Sequence, residues 1–269
     1  MDTYVTGDSK LQYRVRGSGE TLLMIHGAML ADAFEMMADT LSASYQLITY
    51  RRRGFGGSSA APETVTMAGQ AADARALLDH LGVARAHVAG HSYGGVVALQ
   101  LALDAPERVH SLGLLEPPLL AVPSGADFGA GVGAIAEIYQ AGDREGALVA
   151  FLTAVAGPDP VPRLDRTLAP GWFQQAVSDL PTLFGADLPS LGTWEFTQAH
   201  AQSITQPALT VLGTESFPLF AESHDLLNQW LPNAEPFVLN GATHFLQLDD
   251  PDGMANALLD FLSRHPMTS

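Results

Sequence analysis

A serine at position 92 lies in a pattern that favours nucleophilic chemistry. Residues 90–94 read Gly-His-Ser-Tyr-Gly, an apolar run at 86–89 precedes them, and a run with helical character at 96–103 follows. A serine between a strand and a helix lies at the apex of a sharp turn, which lifts its hydroxyl out of the sheet. The flanking glycines permit the close approach of the backbone that such a turn needs. The pattern therefore predicts that Ser92 is a nucleophile.

A serine hydroxyl needs a base within hydrogen-bonding reach, and histidine suits this role because its pKa lies near neutral pH. The chain contains nine histidines, so residue type alone does not select one. His244 follows the last predicted strand, on a loop that can reach back over a sheet. We expect His26 and His91 to be structural or to line a pocket. The remaining six are predicted to be surface or packed side chains: His80, His87, His110, His200, His224 and His265.

Short apolar runs alternate with longer amphipathic stretches, which is typical of a mainly parallel sheet covered by helices. Strands are predicted at 11–16, 21–25, 46–50, 86–89, 109–115, 208–212 and 236–239. The run at 11–16 alternates like an edge strand. Helices are predicted at 33–41, 66–81, 218–231 and 252–262.

The alternation stops between residues 117 and 205. No strand pattern occurs there, and helices are predicted at 125–140, 144–156, 170–178 and 188–199. We interpret residues 117–205 as a helical insertion. The core domain is then expected to consist of residues 1–116 and 206–269.

Composition limits the classes of partner. The chain has 269 residues, 47% of them hydrophobic, with 13 basic and 29 acidic side chains and a net charge of −16. A nucleic-acid site needs a basic face, so we expect no nucleic-acid partner. No apolar run approaches the roughly 20 residues that span a bilayer, and the first ten residues lack an apolar signal core. We therefore expect a cytoplasmic protein that acts on a small molecule, and its oligomeric state stays open.

Metal and thiol chemistry have no support in the sequence. There is no cysteine, which excludes disulfides, thiolate nucleophiles and cysteine metal sites. No His-Glu-x-x-His motif or cluster of metal ligands at helical spacing occurs. The glycines after the arginine run at 51–53 lack the Gly-Lys-Ser/Thr ending of a phosphate-binding loop. We expect neither a metal nor a cofactor.

Four motifs, in the expected order, make the chain resemble the α/β-hydrolase fold family over almost its whole length. They are His-Gly at 26–27, Arg-Gly-x-Gly-x-Ser at 53–58, the Gly-x-Ser-x-Gly turn at 90–94, and Gly-x-x-His at 241–244 followed by Asp-Pro at 250–251. The resemblance implies an α/β fold with a mainly parallel twisted sheet flanked by helices. It also implies that residues 117–205 form a helical cap, or lid, inserted after the sixth strand.

The resemblance further implies a catalytic order of serine, acid and histidine. His244 then becomes the base for Ser92. The backbone N–H groups of Tyr93, after the nucleophile, and of Ala28, after the His-Gly pair, are expected to bind the oxyanion. The family's usual loop has Asp where Arg51 stands, and Arg53 is expected to bind nearby backbone carbonyls. We expect the three clustered arginines to find carboxylate partners.

The acid of the triad departs from the commoner family pattern. That pattern places Asp after the seventh strand, at the position that Ser216 occupies here. Two carboxylates remain as candidates. Glu116 ends the sixth strand, where some members carry their acid, and Glu215 lies one residue before the usual position. Burial of an unpaired carboxylate at the end of an apolar strand is costly, so a glutamate at this place is expected to have a partner such as the histidine. We therefore favour Glu116 and retain Glu215 as the alternative.

These assignments predict a serine hydrolase that cleaves an ester-type or related acyl bond of a small apolar substrate. Met29, Trp172 and Phe245 are expected to line its pocket. Because one fold hosts many reactions, an alternative is a carbon–carbon bond hydrolase, a lyase or a cofactor-free oxygenase that uses His244 as base. A non-catalytic protein that binds a ligand is a further alternative. Aspartate at the nucleophile position, as in the family's dehalogenases and epoxide hydrolases, is absent.

Overall fold

Eight strands form one twisted sheet in the computed structural model, which describes residues 1–6 and 9–267. The strands are β1 Asp2–Thr6, β2 Ser9–Arg16, β3 Thr21–Ile25, β4 Gln46–Arg51, β5 Ala86–His91, β6 Val109–Leu115, β7 Ala208–Gly213 and β8 Ala234–Leu239. Their spatial order is β1-β2-β4-β3-β5-β6-β7-β8. The ladder from β4 to β8 is parallel, whereas β2 pairs antiparallel with both β1 and β4. The predicted fold class is confirmed.

The central strands are buried apolar runs. Every residue of β3 and β5 is buried, as expected for parallel strands covered on both faces. The carboxyl ends of these strands meet at one edge of the sheet. The loops that follow β3, β5, β6, β7 and β8 therefore converge there, although they are remote in sequence.

The prediction that residues 11–16 form an edge strand is wrong. β1 pairs along β2, with Tyr4 opposite Leu11, so β1 and β8 form the two edges of the sheet. β1 is short and mostly polar, which hides it in the sequence pattern. The alternation of β2 arises because one face packs inward while the other is only partly covered.

Helices cover both faces of the sheet. They are α1 Glu35–Ser42, α2 Met67–His80, α3 Tyr93–Asp104, α4 Gly125–Gln140, α5 Arg144–Ala156, α6 Pro160–Thr167, α7 Trp172–Thr182, α8 Leu188–Gly192, α9 Gln198–Ser203, α10 Pro218–Trp230, α11 Leu246–Asp249 and α12 Pro251–Arg264. One apolar core lies under α1, α11 and α12. A second, larger core lies under α2, α3 and α10 and continues into the helices of residues 117–205.

Residues 117–205, all of which the structure describes, contain α4 to α9 and no strand. The bounds of α4 and α5 agree with the predicted helices. The helix predicted at 188–199 is instead two short helices, because Thr197 has an extended backbone and caps α9. A π-helical segment, Leu183–Asp187, joins α7 to α8. The sequence pattern does not predict α6 or α11. The division into core and cap domains stays a prediction.

Each arginine of the run at 51–53 binds a carboxylate, as the sequence predicts. Arg51 binds Asp32, Arg52 binds Asp187, and Arg53 binds Asp73. The expectation that Arg53 binds backbone carbonyls is wrong, because its Nε donates to Asp73 at 2.6 Å.

The ion pair between Arg52 and Asp187 is fully buried and bidentate, with N···O distances of 2.9 and 2.7 Å. Arg52 also donates to the carbonyl oxygen of Gly27 at 2.8 Å, and its guanidinium lies 4.3 Å from the centroid of the Tyr93 ring. The pair thus joins the π-helical segment of the insertion to the loop after β3 and to the start of α3.

We expect Asp187→Ala to lower the free energy of unfolding by about 3–5 kcal/mol, because it leaves the Arg52 charge buried without a partner. Urea denaturation measures the change. Asp260→Ala removes an exposed partner of Arg264 and is the matched control, with an expected change of about 1 kcal/mol or less. The double variant Arg52→Met, Asp187→Leu should recover most of the loss, since no buried charge remains. A loss for Asp187→Ala no larger than that of the control would contradict this account.

Candidate active site

Ser92 lies in the sharp turn between β5 and α3. Its backbone has φ 53° and ψ −123°, a strained conformation for a residue with a side chain. A Cβ at Gly90 would lie 2.1 Å from the carbonyl oxygen of Gly94, and a Cβ at Gly94 would lie 2.0 Å from that of Ile25. Glycine is therefore required on both sides, and the turn has the form that the motif predicts.

Glu116 immediately follows β6 and is only 1% exposed. Its Oε1 accepts hydrogen bonds from the Gly213 N–H at 2.7 Å and from the Ser216 hydroxyl at 2.6 Å. Its Oε2 lies 2.6 Å from Nδ1 of His244. A carboxylate at Nδ1 fixes the tautomer with the proton on that nitrogen, which leaves Nε2 free to accept a proton.

The other candidate carboxylate is placed differently. Glu215 is exposed, and within the described residues its side chain makes no hydrogen bond to His244. Ser216, which occupies the commoner position of the acid, donates its hydroxyl proton to Glu116 instead. Glu116, from the end of β6, thus contacts the imidazole of His244 and is hydrogen-bonded by Ser216, which stands at the usual position of the acid.

His244 is enclosed by aromatic rings. The ring of Phe220 stacks on it with centroids 3.7 Å apart, and that of His91 lies at 4.6 Å. Nε2 of His91 donates to the carbonyl oxygen of His244 at 2.8 Å, so His91 holds the backbone of the loop that carries the proposed base. His26 is structural too: its Nδ1 bonds to the Gly27 carbonyl and its Nε2 accepts the Arg52 N–H.

Burial governs the charges of the pair. It lowers the pKa of His244, because the imidazolium loses its hydration. It raises the pKa of Glu116 for the same reason, while the hydrogen bonds from Ser216 and Gly213 act in the opposite direction. The resting imidazole is therefore neutral, which is the protonation state that a general base needs.

Ser92 and His244 line the same cavity, of about 50 Å³. Within residues 1–6 and 9–267 no direct hydrogen bond joins the Ser92 hydroxyl to the ring of His244. Such contacts often tighten only when substrate binds. The other walls are largely apolar side chains, many from residues 117–205: Pro118, Phe128, Phe151, Leu152, Val155, Leu188 and Leu191.

The predicted pocket residues divide between two cavities. Met29 and Phe245 line the cavity at Ser92, whereas Trp172 does not and lines a neighbouring cavity instead. Asp187 also lines the cavity at Ser92, and sequence reasoning missed it because nothing in the pattern links residue 187 to Arg52. In the sequence Ser216 is interpreted only as a position that lacks the usual acid. A serine there could also have indicated a hydrogen-bond donor to a carboxylate from another strand, which is the role it has with Glu116.

Two backbone N–H groups are available at the cavity. Ala28 and Tyr93 both line it, and within the described part of the chain neither N–H has a hydrogen-bond partner. Tyr93 is the first residue of α3, where amides have no partner inside the helix. Both groups are thus free to stabilise negative charge on a bound oxygen.

Two structural features are absent from the described residues. No helix among them is long and apolar enough to cross a membrane. No group of three or more histidine, aspartate or glutamate side chains among them is arranged to hold a metal ion.

We expect Gly94→Ala to lower the free energy of unfolding by about 3 kcal/mol or more, since its Cβ would overlap the Ile25 carbonyl. Gly129→Ala is the matched control, because Gly129 is also helical but, apart from the backbone of its own helix, has no atom within 4 Å of the place that a methyl group would take. The control should be neutral or more stable by up to about 1 kcal/mol. Thermal and urea unfolding of both variants measure the difference, and equal effects would exclude the proposed close contact.

Known proteins resemble this chain in sequence over part of its length and in fold over almost all of it. A putative carbamate hydrolase, RutD, from Azorhizobium caulinodans is 39% identical over 109 residues, which cover 39% of this chain and 40% of that protein. The match thus spans about two fifths of the length of that curated relative. A thermophilic esterase from Thermogutta terrifontis shares the fold with a TM-score of 0.82 at 20% identity, over 96% of this chain and 95% of that one.

An enol-lactonase from Burkholderia xenovorans LB400 likewise shares the fold, with a TM-score of 0.80 at 20% identity, over 97% of this chain and 100% of that one. The family described as alpha/beta hydrolase fold matches residues 20–251, from β3 to the start of α12. With its sheet order and the turn at Ser92, this chain belongs to the alpha/beta hydrolase fold family.

Proposed function

We propose that this chain is a serine hydrolase that cleaves an ester-type or related acyl bond of a small apolar substrate. In this proposal Ser92 is the nucleophile, His244 the base and Glu116 the acid. The observation that carries it is the 2.6 Å contact between Glu116 Oε2 and His244 Nδ1, at a cavity that Ser92 also lines. A buried carboxylate bound to an imidazole beside a strained serine has the arrangement that acyl transfer requires.

The reaction then proceeds in two halves. Ser92 Oγ attacks the substrate carbonyl carbon and its proton passes to Nε2 of His244, while Glu116 stabilises the imidazolium. The tetrahedral oxyanion accepts hydrogen bonds from the Ala28 and Tyr93 amides, each worth roughly 3–4 kcal/mol in other hydrolases. His244 returns the proton to the leaving group as the acyl-enzyme forms. Water, deprotonated by His244, then attacks the acyl group, which releases the acid and restores the Ser92 hydroxyl.

The cavity supports a short acyl group. Its volume of about 50 Å³ and its apolar walls suit a few carbon atoms rather than a long chain. The relatives' names also support an acyl target, because a carbamate, an ester and a lactone each contain an acyl bond to a heteroatom. The aromatic stack of Phe220 on His244 helps to exclude water from the imidazole.

We expect a fluorophosphonate to label Ser92 and a p-nitrophenyl acetate assay to show a burst, because an acyl-enzyme accumulates on the serine. Mass spectrometry locates the label, and stopped-flow absorbance measures the burst. Ser92→Ala should lose both, whereas Ser263→Ala, at an exposed serine, should keep both. Native activity that survives Ser92→Ala would favour a lyase or an oxygenase that uses His244 alone.

We expect Glu116→Gln to lower kcat by about four orders of magnitude, since a neutral amide neither fixes the tautomer nor stabilises the imidazolium. Glu215→Gln is the matched control and should change kcat less than about twofold, because residue 215 is exposed. Steady-state kinetics on a p-nitrophenyl ester measure both variants, and circular dichroism verifies that they fold. The opposite ranking would transfer the role of acid to Glu215.

A further inference from the structure

A second cavity, of about 240 Å³, adjoins the one at Ser92. Leu30 and Ala33 line both cavities, so the two share a wall. Leu30 adopts a left-handed backbone with φ 54°, which a leucine rarely does, and so the loop after β3 is held in a strained form between the cavities. The loop after β3 therefore lies between the two cavities.

One face of α7 forms much of the second cavity. Trp172, Gln175, Ala176 and Asp179 all line it, and their spacing of 0, 3, 4 and 7 residues places them on one side of the helix. Such a face is usually apolar when it is buried. Here it carries a carboxylate, and Asp179 is only 5% exposed.

The carboxylate of Asp179 is only partly satisfied. Its Oδ1 accepts a hydrogen bond from Nε2 of Gln175 at 2.9 Å. Within the described residues no hydrogen bond or ion pair reaches Oδ2, and that atom is not among the fully enclosed polar atoms without a partner. The free oxygen therefore has open space next to it, and Asp179 lines the second cavity.

The charges around this cavity leave an excess of negative charge. The other two charged side chains that line it, Arg51 and Asp32, bind each other through N···O distances of 2.6 and 2.8 Å. Burial raises the pKa of Asp179 to about 6, so it remains ionised at pH 7 and above. The charge of Arg51 lowers the pKa of Asp179 and those of Asp32 and Asp187 raise it, but among the described residues no cation pairs directly with the carboxylate. A buried carboxylate without a direct ion pair is costly, and a ligand cation would remove that cost.

Trp172 supports a cationic ligand with an alkyl chain. Its ring lines the same cavity about two helical turns from Asp179, and it is held by a hydrogen bond from Nε1 to Asp165 at 2.9 Å. At that distance from Asp179 the indole ring offers an apolar wall to the alkyl chain, while the carboxylate takes the cation.

We propose that the second cavity binds an organic ammonium group, with Asp179 as its anionic partner and α7 as the wall along which its alkyl chain lies. The structure thereby points to a substrate that carries a cation at the end remote from the scissile acyl bond. This reading of the substrate rests on the proposed hydrolytic function, whereas binding of the cation does not.

Isothermal titration calorimetry with n-hexylammonium, 1-hexanol and hexanoate tests the binding without any reaction. We expect the wild type to bind hexylammonium at least tenfold more tightly than hexanol, and hexanoate least. Asp179→Asn keeps the acceptor for Gln175 but removes the charge, so hexylammonium should lose at least tenfold in affinity while hexanol is unchanged. Asp39→Asn, at an exposed aspartate of α1, changes the net charge equally and should bind like the wild type.

Equal affinities of the wild type for hexylammonium and hexanol, or tighter binding of hexanoate, would overturn the proposal even if Asp179→Asn failed to fold. A folded Asp179→Asn variant that binds hexylammonium as tightly as the wild type would also overturn the proposal.

Hydrolysis of matched esters tests the substrate class. One pair differs in the acyl group, p-nitrophenyl 6-aminohexanoate against heptanoate, and the other in the alcohol, 5-aminopentyl butyrate against hexyl butyrate. We expect kcat/KM to favour the ammonium ester at least tenfold in one pair, and Asp179→Asn to abolish that preference without altering the rate for the alkyl ester. No preference in either pair would refute the substrate reading. Lack of hydrolysis of all four esters by the wild type would refute the proposed function, while the calorimetric result would stand.

Discussion

A buried carboxylate, that of Glu116, holds together the edge of the sheet at which the site is built. It lies at the end of β6, it accepts the Gly213 N–H from the end of β7, and it contacts His244 on the loop after β8. The hydroxyl of Ser216 provides a further donor. Because an unpaired carboxylate would be costly at this depth, these donors must all be in place, and three segments remote in sequence are fixed relative to one another.

Close packing and strain determine the position of Ser92, the proposed nucleophile. The turn at Ser92 exists because Gly90 and Gly94 allow backbone to approach backbone at a distance that no side chain permits. The turn also places the unpaired amide of Tyr93 beside the cavity. On the opposite side, Arg52 holds the Gly27 carbonyl, which immediately precedes Ala28. The two proposed oxyanion donors are thus supported by different elements of the core.

Prediction from sequence succeeds where local pattern and packing agree. Buried apolar runs identify β3 and β6, and the glycines around Ser92 identify the turn, because each of these depends on a few adjacent residues. The strand β1 escapes prediction since its pairing with β2 is not encoded in its own short polar sequence. The break between α8 and α9 depends on the cap at Thr197, which competes with an otherwise helical pattern.

Contacts between residues 117–205 and the rest of the chain are the hardest to predict from sequence. The pairing of Arg52 with Asp187 joins residues 135 positions apart, and only the packing of the π-helical segment brings them together. The sequence predicts Trp172 at the cavity of Ser92, yet the direction of α7 turns that face towards the neighbouring cavity. The spacing of Trp172, Gln175, Ala176 and Asp179 could have indicated that they share one face of a helix. It could not have indicated which cavity that face lines.

The buried ion pair also limits how residues 117–205 can move relative to the sheet. Residues 117–205 cannot move away from the sheet as one rigid body without breaking the Arg52–Asp187 pair or displacing the Gly27 carbonyl, which Arg52 also binds. A displacement that keeps the ion pair must therefore take place away from Asp187, for example in α4 and α5, which contribute Phe128 and Phe151 to the cavity.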